Sequence, residues 1–473
     1  MKFVVKRLKN VVDGSYSGIE NQPQLARTLT LKGAVAINML DMIGVGPFIT
    51  LPLLLGAMGG PQAMLGWIFG AVLALCDGLV WAELGAAMPE AGGTYRFLRT
   101  IYPGGVGRFL SFLFVFQLMF SAPLSVASGA IGLSQYAAYL APALHWHTGA
   151  ALAAVVLAVA LLYRNLASLR VVSYVLWCTV IATFGWVFAT ALMYGHVGQA
   201  FDLPAGAFRL NSSFLMGLAS AMLIATYDFW GYYNITFLGA EVRDPAKTIP
   251  RAILISIGFV AALYLALNVA VLAVLPWRPL LAMKDLGARQ ALISYFMQVA
   301  YGGARGAAAG KVAAVLVMIT AFASVFSLLL GYSRIPFAAA RDGNFFKRFG
   351  ILHDTRGFPR LSLLYLGGAA MLFCFLSLSQ VIAALVVLRI VVQFLLQHVG
   401  VMVLRRTRPG LRRPFRMWLY PLPPVLALVG FGYILLGRAN FQRELAMAAL
   451  VVILGGAAYV IRERFDGIGH TIR

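Results

Sequence analysis

Charge is scarce in this 473-residue chain: Asp, Glu, Lys and Arg make up 11% of it, against about 25% in an ordinary soluble domain. That excludes a water-soluble enzyme or binding module of this size. Acidic residues are rarer still, 16 against 38 Lys and Arg, leaving a net charge of +22. In a soluble protein such an excess points to nucleic acid; here it belongs in connections beside a membrane, where its sidedness is a test. Only three cysteines occur, Cys76, Cys178 and Cys374, each inside an apolar stretch, which excludes a disulfide framework and metal-ligand spacing. No P-loop, nucleophile elbow or zinc pattern appears, so no catalytic residue, cofactor, metal or nucleic acid partner is expected. His145 and His147 have no nearby carboxylate or cysteine and read as solvated loop residues. What is present in excess is apolar: 61% of the chain, with mean hydropathy +0.84. This is the composition of an integral membrane protein.

A helix needs roughly 20 apolar residues to cross the hydrocarbon core. Candidate spans fall at about 33–57, 62–87, 107–140, 148–163, 169–194, 213–240, 251–275, 312–338, 361–378, 380–404, 419–437 and 443–461, which predicts twelve. They are long and apolar on all sides, so helices are implied rather than the alternating strands of a barrel. A polar stretch, Asp13 to Gln24, stands where a signal peptide would need its apolar core, so residues 1–30 are expected to be a retained tail. With both termini cytoplasmic, 29 Lys and Arg fall on that side and eight on the other, while Arg389 lies within a span. This split obeys the positive-inside rule, supports the even count and accounts for the net charge without nucleic acid. The longest outer connection, 277–311, is expected to hold a short helix at 288–300.

Glycine or proline inside a span matters because lipid cannot satisfy freed backbone groups; irregular backbone survives where it lines a cavity. Span 1 contains Gly44-Val45-Gly46-Pro47-Phe48. A helix restarting after Pro47 offers free N–H groups at the positive end of its dipole, a site for a carboxylate; a plain proline kink or a small-residue packing face is the alternative. Span 6 carries a second cluster, Thr226-Tyr227-Asp228-Phe229-Trp230-Gly231-Tyr232-Tyr233-Asn234, ill suited to facing lipid. Paired interruptions in the first span of each of two five-span copies point to a transporter with inverted repeats and a midplane site. The division is then 1–30 tail, 31–195 first repeat, 210–404 second repeat, 405–462 two added helices and 463–473 tail.

These motifs resemble the amino acid–polyamine–organocation (APC) superfamily over about residues 29–437. The resemblance rests on Gly44 to Phe48, then Ala82-Glu83-Leu84-Gly85 with Met88-Pro89-Glu90-Ala91-Gly92-Gly93-Thr94-Tyr95. It continues with Gly239-Ala240-Glu241-Val242-Arg243-Asp244-Pro245 and Ile249-Pro250-Arg251, Ser333-Arg334 with Ala340-Arg341-Asp342-Gly343, and Arg412-Arg413-Pro414-Phe415. Each piece is short; their order and spacing are specific. The resemblance implies an all-α, twelve-helix, five-plus-five inverted repeat with broken helices 1 and 6. It also implies carriage of amino acids or related amines across the cell membrane by alternating access.

By that resemblance Ile43, Gly44, Val45 and Gly46 hold a substrate α-carboxylate through backbone N–H groups. Carbonyls around Gly231 and the Asp41 region accept from the α-amino group. Phe229, Trp230, Tyr232 and Tyr233 line or gate the pocket, with aromatic packing as the alternative. Pro47 departs from the aliphatic residue usual in the amino acid branch, and Gly-Pro-Phe also looks like the plant polyamine-uptake group, so amino acid and polyamine both stand as substrates. Asp41 and Asp228 are acids inside spans, which face a cavity or a partner. They suit a coupling proton or a cationic amine; a salt bridge to Arg389 or a helix-end cap is the alternative. Where some proton-coupled relatives carry a lysine in helix 5, this chain has Thr179 and Thr183. Thr320 and Ser324 sit at i and i+4 on helix 8, oxygen donors suited to sodium, with back-bonding to their own helix as the alternative. Proton coupling, sodium coupling and uncoupled exchange all stand. A membrane-embedded enzyme would need catalytic polar residues at the bilayer surface, and a channel would need rings of charge; neither is seen.

Overall fold

The computed structural model describes residues 27–471 apart from 143–146, 164–165, 284–288, 354–356 and 438–440. The expected N-terminal tail up to residue 26 and His145 lie outside them. Peptide groups in hydrocarbon must be satisfied internally. Among the described residues helices do this alone: no strand forms, only two isolated bridges, Leu29–Val242 and Ala91–Leu238.

The first span is broken into α1 (Leu31–Met42), α2 (Gly46–Ile49) and α3 (Leu51–Met58). Thr30 caps α1 by accepting from the Gly33 N–H, and Pro47 sits in the first turn of α2, where its missing N–H costs nothing. Next come α4 (Met64–Ala87), α5 (Thr94–Ile101), α6 (Gly104–Leu140), α7 (His147–Leu162) and α8 (Leu166–Tyr194). The second broken span is α9 (Ser212–Phe229) with α10 (Asn234–Phe237). There follow α11 (Pro245–Val274), α12 (Trp277–Ala282), α13 (Leu292–Tyr301), α14 (Gly303–Tyr332), α15 (Arg334–Arg341), α16 (Arg360–Phe373) and α17 (Leu378–Arg389). A π-helical stretch, Ile390–Phe394, joins α17 to α18 (Leu395–Thr407), and α19 (Leu422–Leu436) and α20 (Phe441–Thr471) close the chain.

Among the described residues nine helices are long and apolar enough to cross a membrane. Each of the twelve segments expected from sequence coincides with a helix. The three outside the nine are α7, α16 and α19, at 16, 14 and 15 residues. The expected outer helix is α13. The bundle is built by α11 and α9 against α4 and by α14 against α6. Close approach comes from small residues: Gly66 and Gly70 of α4 face Ala221 and Ala225 of α9, a pairing that lets backbones touch where lipid offers no hydrophobic drive. Helices α19 and α20 pack on the outside, against α4 and α6 respectively. Leucines on the outer faces of the long helices, such as Leu192 at 83% exposed, would be a liability in water and suit a lipid-facing surface.

Candidate substrate-binding site

The two breaks meet. Helix α1 ends at Met42, and the N–H groups of Val45 and Gly46 find no acceptor among the described residues. Across from them α9 ends at Phe229, and Trp230 turns to extended backbone. Gly231 follows at φ +128, a conformation that side chains rarely adopt. A Cβ on Gly231 would come within 2.6 Å of the Met42 nitrogen and 2.8 Å of the Asp41 carbonyl carbon. Glycine here permits both the turn and the contact between the breaks. A Cβ on Gly46 would land on the Asp228 carboxylate, so the first break likewise has room for the acid of the second only because it is glycine.

Side chains lock this junction. Tyr264 of α11 donates to the Met42 carbonyl at 2.8 Å and to that of Asp228 at 3.3 Å. Thr50 donates to Asp228 Oδ2 at 2.7 Å. Asn38 accepts from the Ile235 N–H at 2.9 Å, capping α10 from α1. Ser324 of α14 donates to the Asp41 carbonyl at 3.3 Å, and Ser327 to that of Ile37 at 3.1 Å. Within the junction lies a cavity of about 50 Å³, walled by Asp41, Gly44, Val45, Asp228, Trp230 and Ser324, with Arg389 and the serines of α6 completing it. One oxygen each of Asp41 and Asp228 is buried there without a partner, as are the indole N–H of Trp230 and Nε of Arg389.

Not every residue expected at the site reaches it. Phe229 packs edge-on to Trp67, 5.7 Å between centroids, and against Tyr264. Tyr232 donates to Asp77, and Tyr233 stacks on Trp81 at 4.5 Å. The turn at Gly231 breaks the helical phase, so Tyr232 and Tyr233 after it point off the cavity wall. Ile43 is fully buried and is no part of that wall. Thr320 donates to the Leu316 carbonyl of its own helix at 3.0 Å and is likewise off the wall. Thr179 and Thr183 also back-bond, to Val175 and Thr179. The salt bridge considered between Asp41 and Arg389 does not form: no carboxylate among the described residues lies within 4 Å of that guanidinium.

One pairing escaped the sequence reading. His398 of α18 and Asp77 of α4 are both fully buried, with Nε2 3.1 Å from Asp77 Oδ1. Nδ1 of His398 lies 2.6 Å from the Phe394 carbonyl, so it carries a proton there. Trp81 and Tyr232 both donate to Asp77 Oδ2, tying the turn after Gly231 to α4. Glu83, Glu90 and Glu241, acids near the ends of their spans whose sequence reading is as partners of loop arginines, form a layer of ion pairs at the arginine-rich end of the bundle. Glu83 receives Arg405, whose Nε lies 2.9 Å away, as well as the Met417 N–H at 2.8 Å. Arg334 pairs with Glu241 at 3.1 Å, and Arg96 with Glu90 and Asp342 at 2.9 and 2.6 Å. The first span leans on this layer through Thr28 and Leu29, which donate to the Glu241 carbonyl at 2.9 Å.

Residues 29–456 match the amino acid permease family. The chain belongs to that family. The permease is 24% identical over 419 residues to a serine/threonine exchanger of Bacillus subtilis, covering 87% of this chain and 91% of the relative. It is 28% identical over 451 residues to the Asc-type amino acid transporter 1 of Mus musculus, covering 91% and 80%. An uncharacterized transporter of Mycobacterium tuberculosis is 29% identical over 446 residues, covering 93% and 92%. These relatives are named as transporters and exchangers, and the permease is a multi-pass membrane protein of a transporter family, not an enzyme.

Proposed function

We propose that this permease moves amino acids across the cell membrane by alternating access. Twelve helices would be arranged as two inverted repeats, 31–195 and 210–404, with both termini cytoplasmic. The observation that carries the reading is the junction of the breaks: the unpaired Val45 N–H and unpaired acid oxygens at Asp41 and Asp228 border one small cavity, and the unpaired Gly46 N–H follows Val45 directly. That pattern complements a zwitterion. The α-carboxylate takes the N–H groups at the positive end of α2, and the α-amino group takes the Asp41 and Asp228 side and the carbonyls beside Gly231. The lipid bilayer is the remaining partner, through the exposed leucines.

For coupling, Asp228 takes a proton, or Ser324 supplies an oxygen to sodium; Asp228 and Ser324 both line the cavity, whereas Thr320 does not. Uncoupled exchange is the second reading, favoured by the serine/threonine exchanger among the relatives. Counterflow in proteoliposomes tests both, with a panel of radiolabelled amino acids and polyamines, with and without sodium and a pH gradient. Saturable counterflow of an amino acid is expected. Absence of any amino acid movement, or transformation of the solute without movement, overturns the proposal.

A further inference from the structure

The cavity wall carries one cation that the scheme above leaves unused. Arg389 is 2% exposed and ends α17 where the backbone loosens into the π-helical stretch Ile390–Phe394, the kind of irregularity that re-aims side chains at functional sites. Its Nη1 donates to Tyr233 Oη at 3.1 Å and its Nη2 to Ser125 Oγ at 2.7 Å. The guanidinium carbon stands 5.5 Å from the Trp230 ring and 5.0 Å from the Tyr332 ring. All of these partners are neutral. A buried guanidinium is costly unless charge and hydrogen bonds compensate it, and ring faces offset only part of that. Nε remains without an acceptor, and so does the indole N–H of the adjoining Trp230.

We propose that Arg389 is a specificity-determining residue that receives a carboxylate at the end of the substrate's side chain, making acidic amino acids such as aspartate and glutamate substrates of this permease. The inference rests on the amino acid reading of the cavity and deepens it. A guanidinium presents a planar fork that matches a carboxylate bidentately, and the indole N–H of Trp230 on the same cavity wall is a further unpartnered donor. Arg389 sits on a different helix from the Val45 and Gly46 N–H groups, so side-chain and α-carboxylates do not compete for one set of donors. The same cation repels a substrate whose side chain ends in an ammonium group, which disfavours lysine and polyamines.

The test is competition against counterflow in proteoliposomes with aspartate, glutamate, alanine, serine, lysine and putrescine, on the native chain, Arg389→Gln and Arg389→Lys. In the native protein the acidic amino acids are expected to compete and lysine and putrescine not to. Arg389→Gln is expected to weaken aspartate and glutamate at least about tenfold, the size of a lost charge-assisted hydrogen bond, with alanine and serine within about threefold. Arg389→Lys keeps the charge without the fork and is expected to restore part of that loss, which separates recognition from folding should the glutamine variant not assemble. Native transport of alanine or serine with no competition by acidic amino acids overturns the inference and leaves the amino acid reading standing. An equal loss for alanine and aspartate in Arg389→Gln assigns the guanidinium to the α-carboxylate and also overturns it. Movement of no amino acid at all overturns the reading beneath it.

Discussion

Gly46 is the residue at which the smallest change is expected to cost the most function. A methyl group there collides with the Asp228 carboxylate, which Thr50 holds at 2.7 Å. Overpacking of this kind costs about 1–3 kcal/mol, and 1.4 kcal/mol is tenfold in an equilibrium constant. Gly46→Ala is therefore expected to lower initial uptake about tenfold or more at matched membrane expression, while an unchanged rate would remove this break from the site. Gly231→Ala fails differently. Its backbone lies at φ +128 against the Asp41–Met42 peptide, and a strained non-glycine residue costs of order 1–3 kcal/mol. A lowered unfolding temperature in detergent is expected along with lost binding, and a Gly231→Val variant is expected to be worse on both counts. Asp228→Asn keeps an oxygen for Thr50 and removes only the titratable proton. If this acid carries the coupling proton, the variant's uptake is expected to lose its dependence on pH; a profile equal to the native one excludes Asp228 from that role.

At the scale of elements, both broken helices were legible in the chain because glycine and proline act through their own backbone: Gly44, Gly46 and Pro47 crowd one point of span 1, and Gly231 stands amid the polar and aromatic cluster of span 6. The long apolar runs were legible for the same reason, since burial in lipid needs no partner in particular. Direction after a break was not. Phe229 and Tyr232 lie close to Trp230 in sequence yet leave the cavity wall: Phe229 falls on the face of α9 that meets Trp67, and the turn at Gly231 resets the phase for Tyr232. Nor were pairings between distant helices legible, such as Asp77 with His398 or Arg389 with Ser125 and Tyr233. Asp77 shows what such a pairing carries. It accepts from Tyr232 and Trp81 and faces His398, all in a dry interior, so Tyr232→Phe removes one of the donors that hold a buried acid. Such a loss costs about 1–3 kcal/mol. Thermal unfolding in detergent is expected to show that cost, and uptake is expected to fall with it because Tyr232 follows Gly231 directly. Unchanged stability would mean that Trp81 and His398 suffice to hold the acid.

For the whole molecule the decisive feature is the layer of ion pairs that ties helices together at one end. Glu83 is buried, 1% exposed at its side chain, and receives Arg405, Arg413 and the Met417 N–H, joining α4 to α18 and the connection that follows. Breaking a buried ion pair by removing one partner costs about 3–5 kcal/mol because the other charge is left behind. Here the stranded arginines recover water if that end opens. Glu83→Gln thus weighs against the paired arrangement at that end rather than against the fold as a whole. Glu90 also meets an arginine, Arg96, but its side chain is 62% exposed, and such pairs contribute about 0–1 kcal/mol. The contrast gives a measurement. With Cys76, Cys178 and Cys374 replaced by serine, Ser128→Cys places a thiol on the cavity wall, reachable by a water-soluble reagent only when a path opens. Adding Glu83→Gln is expected to raise its labelling rate from the arginine-rich end about tenfold or more, and adding Glu90→Gln to leave it nearly unchanged. Equal labelling in all three chains would show that these ion pairs hold helices together without governing access, and alternation would then have to be sought in the packing of α1 and α9 against their neighbours.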